Sequence, residues 1–377
     1  MRVAIVHDWL LGMRGGERAL DVFCKMFPAA EIFTLFYNKT TLTPTIENRP
    51  IHTSFLQGMP FAREKYRNYL PLFPLAVESF DLKGFDLVIS SSHCVAKGAR
   101  KPKNSYHLCY CYTPMRYVWV FFEQYFGDYS PLKKMAVGCV ARYLKKWDLA
   151  TLPRVDDFIG ISHTIKRRIK DVYNREAAVI YPPVDIENFR LDPSRKRGDY
   201  YLCVSALVPY KRIDIIIDAF NILKDKKIVI VGDGNLREDL ERRAVSGNIK
   251  FAGRVSDDEL AGIYRNAKAF VFAAEEDFGI APIEAQAVGV PVICYGKGGL
   301  SETIIPINSA SGASRPTGMF FYEQSVESFV EAINKFEAME REFNPSNARL
   351  NAERFSEDKF RHNIRTFIND KMGKQVV

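Results

Sequence analysis

The chain has 377 residues, 47% of them hydrophobic and 26% charged, with seven cysteines and a net charge of +8. That length is too great for one core and suits two α/β domains, and the balance is that of an ordinary globular protein. No window holds the roughly 18 to 20 apolar residues of a membrane span, Met1–Asp8 turns polar too soon for a signal peptide, and an odd, scattered cysteine count excludes a disulfide framework, so a cytoplasmic setting is expected.

The charge is unevenly shared: residues 1–190 carry 27 Lys and Arg against 18 Asp and Glu, the rest 26 against 27. The first half therefore holds the whole excess. Such asymmetry fits an acidic partner, whether nucleic acid, an anionic membrane or a phosphorylated acceptor, and fits equally a merely solvated surface.

In chain order, Val3–Val6 reads as a buried strand, followed by a loop with Gly12, Gly15 and Gly16 and a helix from Glu17. Glycines there let the backbone approach a ligand closely, but the spacing is not the Gly-x-Gly-x-x-Gly of a dinucleotide site, which disfavours a nicotinamide or flavin cofactor. Residues 54–80 interleave aromatic residues with Arg63, Lys65 and Arg67. This composition suits a membrane headgroup layer, single-stranded nucleic acid or an exposed face of an insertion. The strands 85–91 and 106–112 end in polar residues, and doubly wound sheets bind ligands outside the carboxyl ends of their strands. His93, Tyr112, Thr113 and Arg116 are thereby placed to line a crevice. Cys109 and Cys111 share one strand face and read as core thiols. Residues 131–149 form a basic amphipathic helix expected to pack on the first domain. Residues 157–161 supply a further strand, and Tyr181–Asp185 reads as a rigid linker.

The second half opens with a strand at 200–205. Lys211 and Arg212 follow at the head of a helix, where cations oppose the helix dipole unless an anion sits there too, so they argue for a bound diphosphate. Strands at 227–231, 248–253 and 290–295 each end in a glycine turn. Between the last two, the run 269–272 leads to Glu276, Phe278-Gly279-Ile280 and Glu284, which reads as strand, loop, helix. Free amides at that helix N-terminus can hold phosphate or a sugar hydroxyl, and the two carboxylates flanking the loop can hold hydroxyls. Residues 355–368 close the chain as an amphipathic helix.

The Glu, seven residues, Glu spacing with Phe-Gly inside resembles the donor-site signature of retaining glycosyltransferases of family 4. Val204–Asp214, Val231–Gly234 and Phe251–Val255 add family-like stretches in the family's order. The resemblance implies the GT-B fold, two Rossmann-like domains with parallel sheets flanked by helices, facing each other across a cleft. The expected divisions are 1–185 on the acceptor side, 186–354 for the nucleotide sugar, and 355–377 crossing back to the first domain. It implies that Gly15 and Gly16 approach the donor diphosphate, Arg254 lies by the nucleotide base and Glu284 holds the ribose. Glu276 would hold the sugar, Phe278, Gly279 and Ile280 would offer backbone contacts, and Lys211 and Arg212 would take the phosphates. His93, Tyr112 and Arg116 are expected contacts for acceptor or sugar. Two positions depart from the family: Tyr112 stands where many members carry His, and Ala206 where many carry Arg.

No Asp-x-Asp triplet occurs, so no metal and no cofactor are expected, and cations with helix N-termini would stabilise the leaving diphosphate. By resemblance the activity is retaining hexosyl transfer, closest to bacterial mannosyltransferases of lipopolysaccharide or O-antigen biosynthesis. The donor would be GDP-mannose and the acceptor a glycan or a polyprenyl-diphosphate-linked sugar, with peripheral contact at the inner membrane face and no nucleic acid partner. The alternatives are a phosphorylase or epimerase of the same architecture, a nucleotide-sugar or glycan binding protein with lost catalysis, and a nucleic-acid binder using the basic half.

Overall fold

The computed structural model describes residues 1–120, 122, 130–192, 194, 197–307 and 315–373. The chain divides into two compact units, Met1–Pro183 with Phe360–Val377, and Val184–Lys359. The division falls just before the linker's end because Val184 already belongs to the second unit, donating its amide to the Phe355 carbonyl at 2.8 Å.

In the first unit β1 (Val3–His7) leads into α1 (Gly15–Met26), then β2 (Glu31–Thr34) and β3 (Ile51–Thr53). Next come β4 (Leu87–Ser92), β5 (Tyr106–Cys111), α2 (Pro131–Ala150), β6 (Asp157–Gly160), α3 (His163–Tyr173) and β7 (Ala177–Val179). Among the described residues the sheet has the order β3-β2-β1-β4-β5-β6-β7, and its neighbours pair in parallel. Every residue of β1 and β4 is buried, as expected of parallel strands covered on both faces. One face is covered by residues 55–80 and α2, whose Leu56, Phe73, Val77, Ala141 and Leu144 join Ala4, Val6, Phe33 and Val88 in a single core. On α1, Phe23 packs edge-on against Tyr110 and Phe360.

Helix α1 starts at Gly15, two residues before the expected Glu17. The Glu17 carboxylate accepts from the Arg14 amide at 3.1 Å, which makes Arg14 the cap and draws both glycines into the first turn.

The second unit repeats the plan with β8 (Tyr200–Val204), α4 (Ile213–Ile222), β9 (Lys227–Val231), β10 (Ile249–Gly253) and β11 (Ala267–Phe272). Then follow α5 (Ile280–Ala287), β12 (Val292–Tyr295), β13 (Gly318–Phe321) and α6 (Val326–Met339), after which α7 (Glu357–Met372) belongs from Phe360 onward to the first unit. Its strands run β10-β9-β8-β11-β12-β13, all parallel among the described residues. The order reverses between β8 and β11, as it does between β1 and β4 in the first unit. Such reversal points are where loops diverge and leave a crevice at the strands' carboxyl ends.

Candidate functional site

The second unit's crevice is built by the loops that follow β8 and β11. Lys211, from the β8 loop, forms an ion pair with Glu276, from the β11 loop; their side chains are only 16% and 14% exposed. The Lys211 ammonium is walled by two rings, Tyr210 at 5.2 Å and Phe272 at 5.3 Å from the ring centres. Aromatic faces favour a cation there and hold it in place.

The Glu276 backbone is fixed as firmly as its side chain. It bridges to Gly298 of the loop after β12, and the Gly299 amide donates to its carbonyl at 2.6 Å. Only glycine fits at 298, where φ is +72° and a Cβ would stand 2.3 Å from the Glu276 carbonyl oxygen. Gly279, at φ +94°, turns the chain into α5 and leaves that helix without a side-chain cap. The first turn of α5, in which Pro282 has no amide, thus keeps the Ile280 and Ala281 amides without a side-chain cap, an arrangement suited to an anion. Phe278 turns its ring into the core, edge-on to Phe355 at 5.6 Å, so that its contribution to the loop is backbone.

Glu284, one turn into α5, is buried, and its Oε2 accepts from the Tyr264 hydroxyl at 3.0 Å. Tyr264 was not singled out in the sequence, where a tyrosine in an apolar helix pattern reads as core. Gln286, next on α5 but buried, donates to the Thr303 carbonyl and accepts from Asn351, which ties the helix to its neighbours.

The remaining second-unit candidates lie further out. Arg212 caps α4 in the left-handed region at φ +52°, and its guanidinium forks onto Asp214, with Nε at 3.1 Å and Nη2 at 3.1 Å. The guanidinium that the sequence assigned to the phosphates is engaged by a carboxylate. Arg254 is 83% exposed at the end of β10, with Nε 3.8 Å from Asp233, two strands away from Lys211's β8.

In the first unit, the corresponding crevice holds His93 and the glycine loop. Asp8, fully buried at the end of β1, accepts from the amides of His93, Cys94, Val95 and Ala96 at 2.7 to 2.9 Å. Its Oδ2 also lies 3.0 Å from His93 Nδ1. Burial pushes the Asp8 carboxyl up, but the His93 imidazole and these bonds outweigh it and hold the group at about 2. A carboxylate so supplied fixes the ring's orientation and keeps a proton on Nδ1.

Tyr112 is half-buried and donates its hydroxyl proton to the Gly16 carbonyl at 2.9 Å, while its oxygen lies 2.9 Å from Ser91 Oγ. Ser91 in turn contacts His7 Nδ1 at 2.9 Å. The proton on Tyr112 is therefore spent on the first turn of α1, where Gly15 and Gly16 lie, and burial pushes its pKa up. Arg116 opens a short helical turn, Arg116–Trp119, and Thr113 accepts from Arg168 at 2.9 Å. Among the described residues, no group of three or more His, Cys, Asp or Glu could hold a metal ion.

Comparison with known proteins bears on this geometry. Residues 185–355 match the family model described as Glycosyl transferases group 1. The chain is 29% identical over 201 residues to the GDP-mannose-dependent alpha-(1-6)-phosphatidylinositol monomannoside mannosyltransferase of Mycobacterium tuberculosis, covering 46% of this chain and 50% of that one. It is 31% identical over 153 residues to the O-antigen chain mannosyltransferase RfbU of Salmonella typhimurium, covering 38% and 43%. The chain thus spans half or less of the length of these relatives. Its fold resembles that of HepE of Anabaena, crystallised with UDP, at a TM-score of 0.70 and 15% identity over 98% of this chain and 100% of that one. Two parallel sheets flanked by helices are the fold of GT-B glycosyltransferases, as the sequence led one to expect.

Proposed function

We propose that this chain, whose residues 185–355 form a group 1 glycosyltransferase domain, transfers mannose from GDP-mannose to a glycan or a lipid-linked acceptor, with retention at the anomeric carbon and without a metal. The observation that carries the reading is the Lys211–Glu276 pair at the β8–β11 reversal point, beside the open N-terminus of α5.

Each part has a task in such a transfer. As the sugar–phosphate bond breaks, negative charge grows on the leaving diphosphate. Lys211 and the α5 amides meet that charge with groups already in position, which lowers the barrier without reorganisation at the moment of reaction. Glu276 accepts from the sugar hydroxyls and, while the donor is absent, holds Lys211 in place. Glu284, oriented by Tyr264, accepts from the ribose hydroxyls. The mannose assignment is supported by the activities of the Mycobacterium and Salmonella relatives.

A second reading retains the donor site but not catalysis. It is favoured by the engagement of Tyr112 with Gly16 and of Arg212 with Asp214, which leaves two expected substrate contacts occupied. Incubation of the protein with radiolabelled GDP-mannose and bacterial membranes, with and without EDTA, separates the two. Label entering a glycan or lipid fraction equally in both, with an α linkage by proton NMR, supports the transferase, since GDP-mannose is itself α-linked. Donor binding without any transfer supports the binding protein.

A further inference from the structure

Residues 55–77 of the first unit present two unlike faces. Leu56, Phe73, Ala76 and Val77 face the core, whereas Phe55, Met59, Leu72 and Leu75 face outward together with Phe61, which is 67% exposed. Phe61 has φ +52°, a backbone region that bulky residues avoid. Two bonds hold it there: the Lys65 amide donates to its carbonyl at 2.8 Å, and the Tyr69 hydroxyl donates to the Pro60 carbonyl at 2.6 Å. This ring, with the Lys65 ammonium 5.1 Å from its centre, joins the outward Phe55, Met59, Leu72 and Leu75 in an apolar patch of the kind that meets a partner. Arg63, Lys65 and Arg67 stand exposed beside it, and Glu64 is the segment's sole acid.

Helix α2 has the same double character. Ala141 and Leu144 enter the core, and Val140 and Trp147 pack against it. On the outer side, Leu132 is 73% and Met135 64% exposed, among the exposed cations Lys133, Arg142 and Lys146. The helix's one acid, Asp148, is buried against Lys97. A solvated helix face is ordinarily polar, and this one is apolar and cationic. Both segments set their inner faces into one core with β1, β2 and β4, so they cover the same side of the first sheet and their outer faces look away from it together.

We propose that this side of the first unit docks on the headgroup layer of an anionic lipid bilayer, Phe61, Leu75, Leu132 and Met135 entering the acyl boundary and the cations meeting lipid phosphate. Charge decides between occupants. A second copy docked by the same patch would set cations on cations. Single-stranded nucleic acid would match the cations, but aliphatic Leu75, Leu132 and Met135 offer no face on which a base can stack. An anionic bilayer satisfies both kinds of side chain at one depth. The proposal stands apart from the donor-site reading, which concerns the second unit.

The test is co-sedimentation of the full chain with phosphatidylglycerol–phosphatidylcholine vesicles and with phosphatidylcholine vesicles. Binding is expected to the anionic vesicles and to weaken as salt is raised. At about fivefold per charge, the triple variant Arg63→Glu, Lys65→Glu, Arg67→Glu should lower partitioning by about 100-fold or more. The pair Phe61→Ser, Leu75→Ser should weaken binding at every salt concentration. All these residues are exposed, and an unchanged unfolding transition and unchanged stabilisation by GDP show that a variant is intact. Absent binding, equal binding to both vesicle types, full binding by the triple variant, or tighter binding to single-stranded RNA than to anionic vesicles would each overturn the proposal. So would a solution dimer lost on Leu132→Asp.

Discussion

Lys211 and Glu276, 65 residues apart in the chain, form a nearly enclosed ion pair across the junction of β8 and β11. Each partner's position is set by its own surroundings, Lys211 by Tyr210 and Phe272, Glu276 by the backbone of Gly298 and Gly299. The pair is thus held from both sides, and in the proposed transfer its two charges serve different parts of one donor.

That division of labour predicts different signatures for the two substitutions. Lys211→Met should weaken binding of GDP and GDP-mannose alike and reduce turnover by about 100-fold or more, the scale of losing one fixed stabilising charge. Glu276→Gln should leave GDP binding nearly unchanged and remove the extra affinity that the sugar confers. Isothermal titration with both ligands reads the difference.

Tyr264→Phe deletes the hydrogen bond that orients Glu284 while retaining the ring that packs on Phe270 and Phe189. A net hydrogen bond to a charged group is worth about 1.5–3 kcal/mol, so GDP affinity should drop by at least tenfold. The accompanying change in unfolding midpoint should be small. Equal GDP affinity in the variant would show that Glu284 needs no such support.

How much of this was visible beforehand differs between local and distant features. The strands at 200–204 and 227–231 follow from apolar runs, and the turns after 227–231 and into α5 from Gly232 and Gly279, signals that lie within a few residues of one another. The Lys211–Glu276 contact does not, because it depends on β8 and β11 being neighbours, which only the strand order decides. The engagement of Arg212 by Asp214 hid for a different reason: Arg212 adopts a left-handed cap, a conformation that an arginine in a sequence does not announce. Tyr264 and Asp8 escaped notice because burial, which makes their hydrogen bonds decisive, is a property of the folded chain.

Lys97 and Asp148 form a buried pair at 2.8 Å, with Trp119 and Tyr173 donating to the other Asp148 oxygen. Lys97→Met leaves the carboxylate without its cation and should cost about 3–5 kcal/mol in urea unfolding. Adding Asp148→Leu to Lys97→Met should recover part of that loss, since it removes the stranded charge.

His107 gives the fold a pH dependence of definite sign. Burial pulls its pKa from 6.5 down to about 4, with Nδ1 donating to the Arg154 carbonyl and Nε2 accepting from Ser90. The unfolded chain therefore takes up the proton first. Stability from this residue is complete above about pH 6.5 and declines as pH falls to about 4, by roughly 3 kcal/mol in all. His107→Gln should flatten that limb in denaturant titrations run from pH 7 to pH 4.

The most direct measurement is thermal stabilisation of the protein by GDP, UDP and ADP and by their sugar conjugates, with and without EDTA, alongside Glu284→Ala. A ligand at 100 times its dissociation constant adds about 2.7 kcal/mol, a shift of several degrees or less in a chain of this size and well within detection. The account predicts that GDP and GDP-mannose alone raise the transition, that EDTA leaves the shift intact and that Glu284→Ala abolishes it. A shift by UDP conjugates in place of GDP would contradict the donor assignment, and no shift by any nucleotide would contradict the site itself.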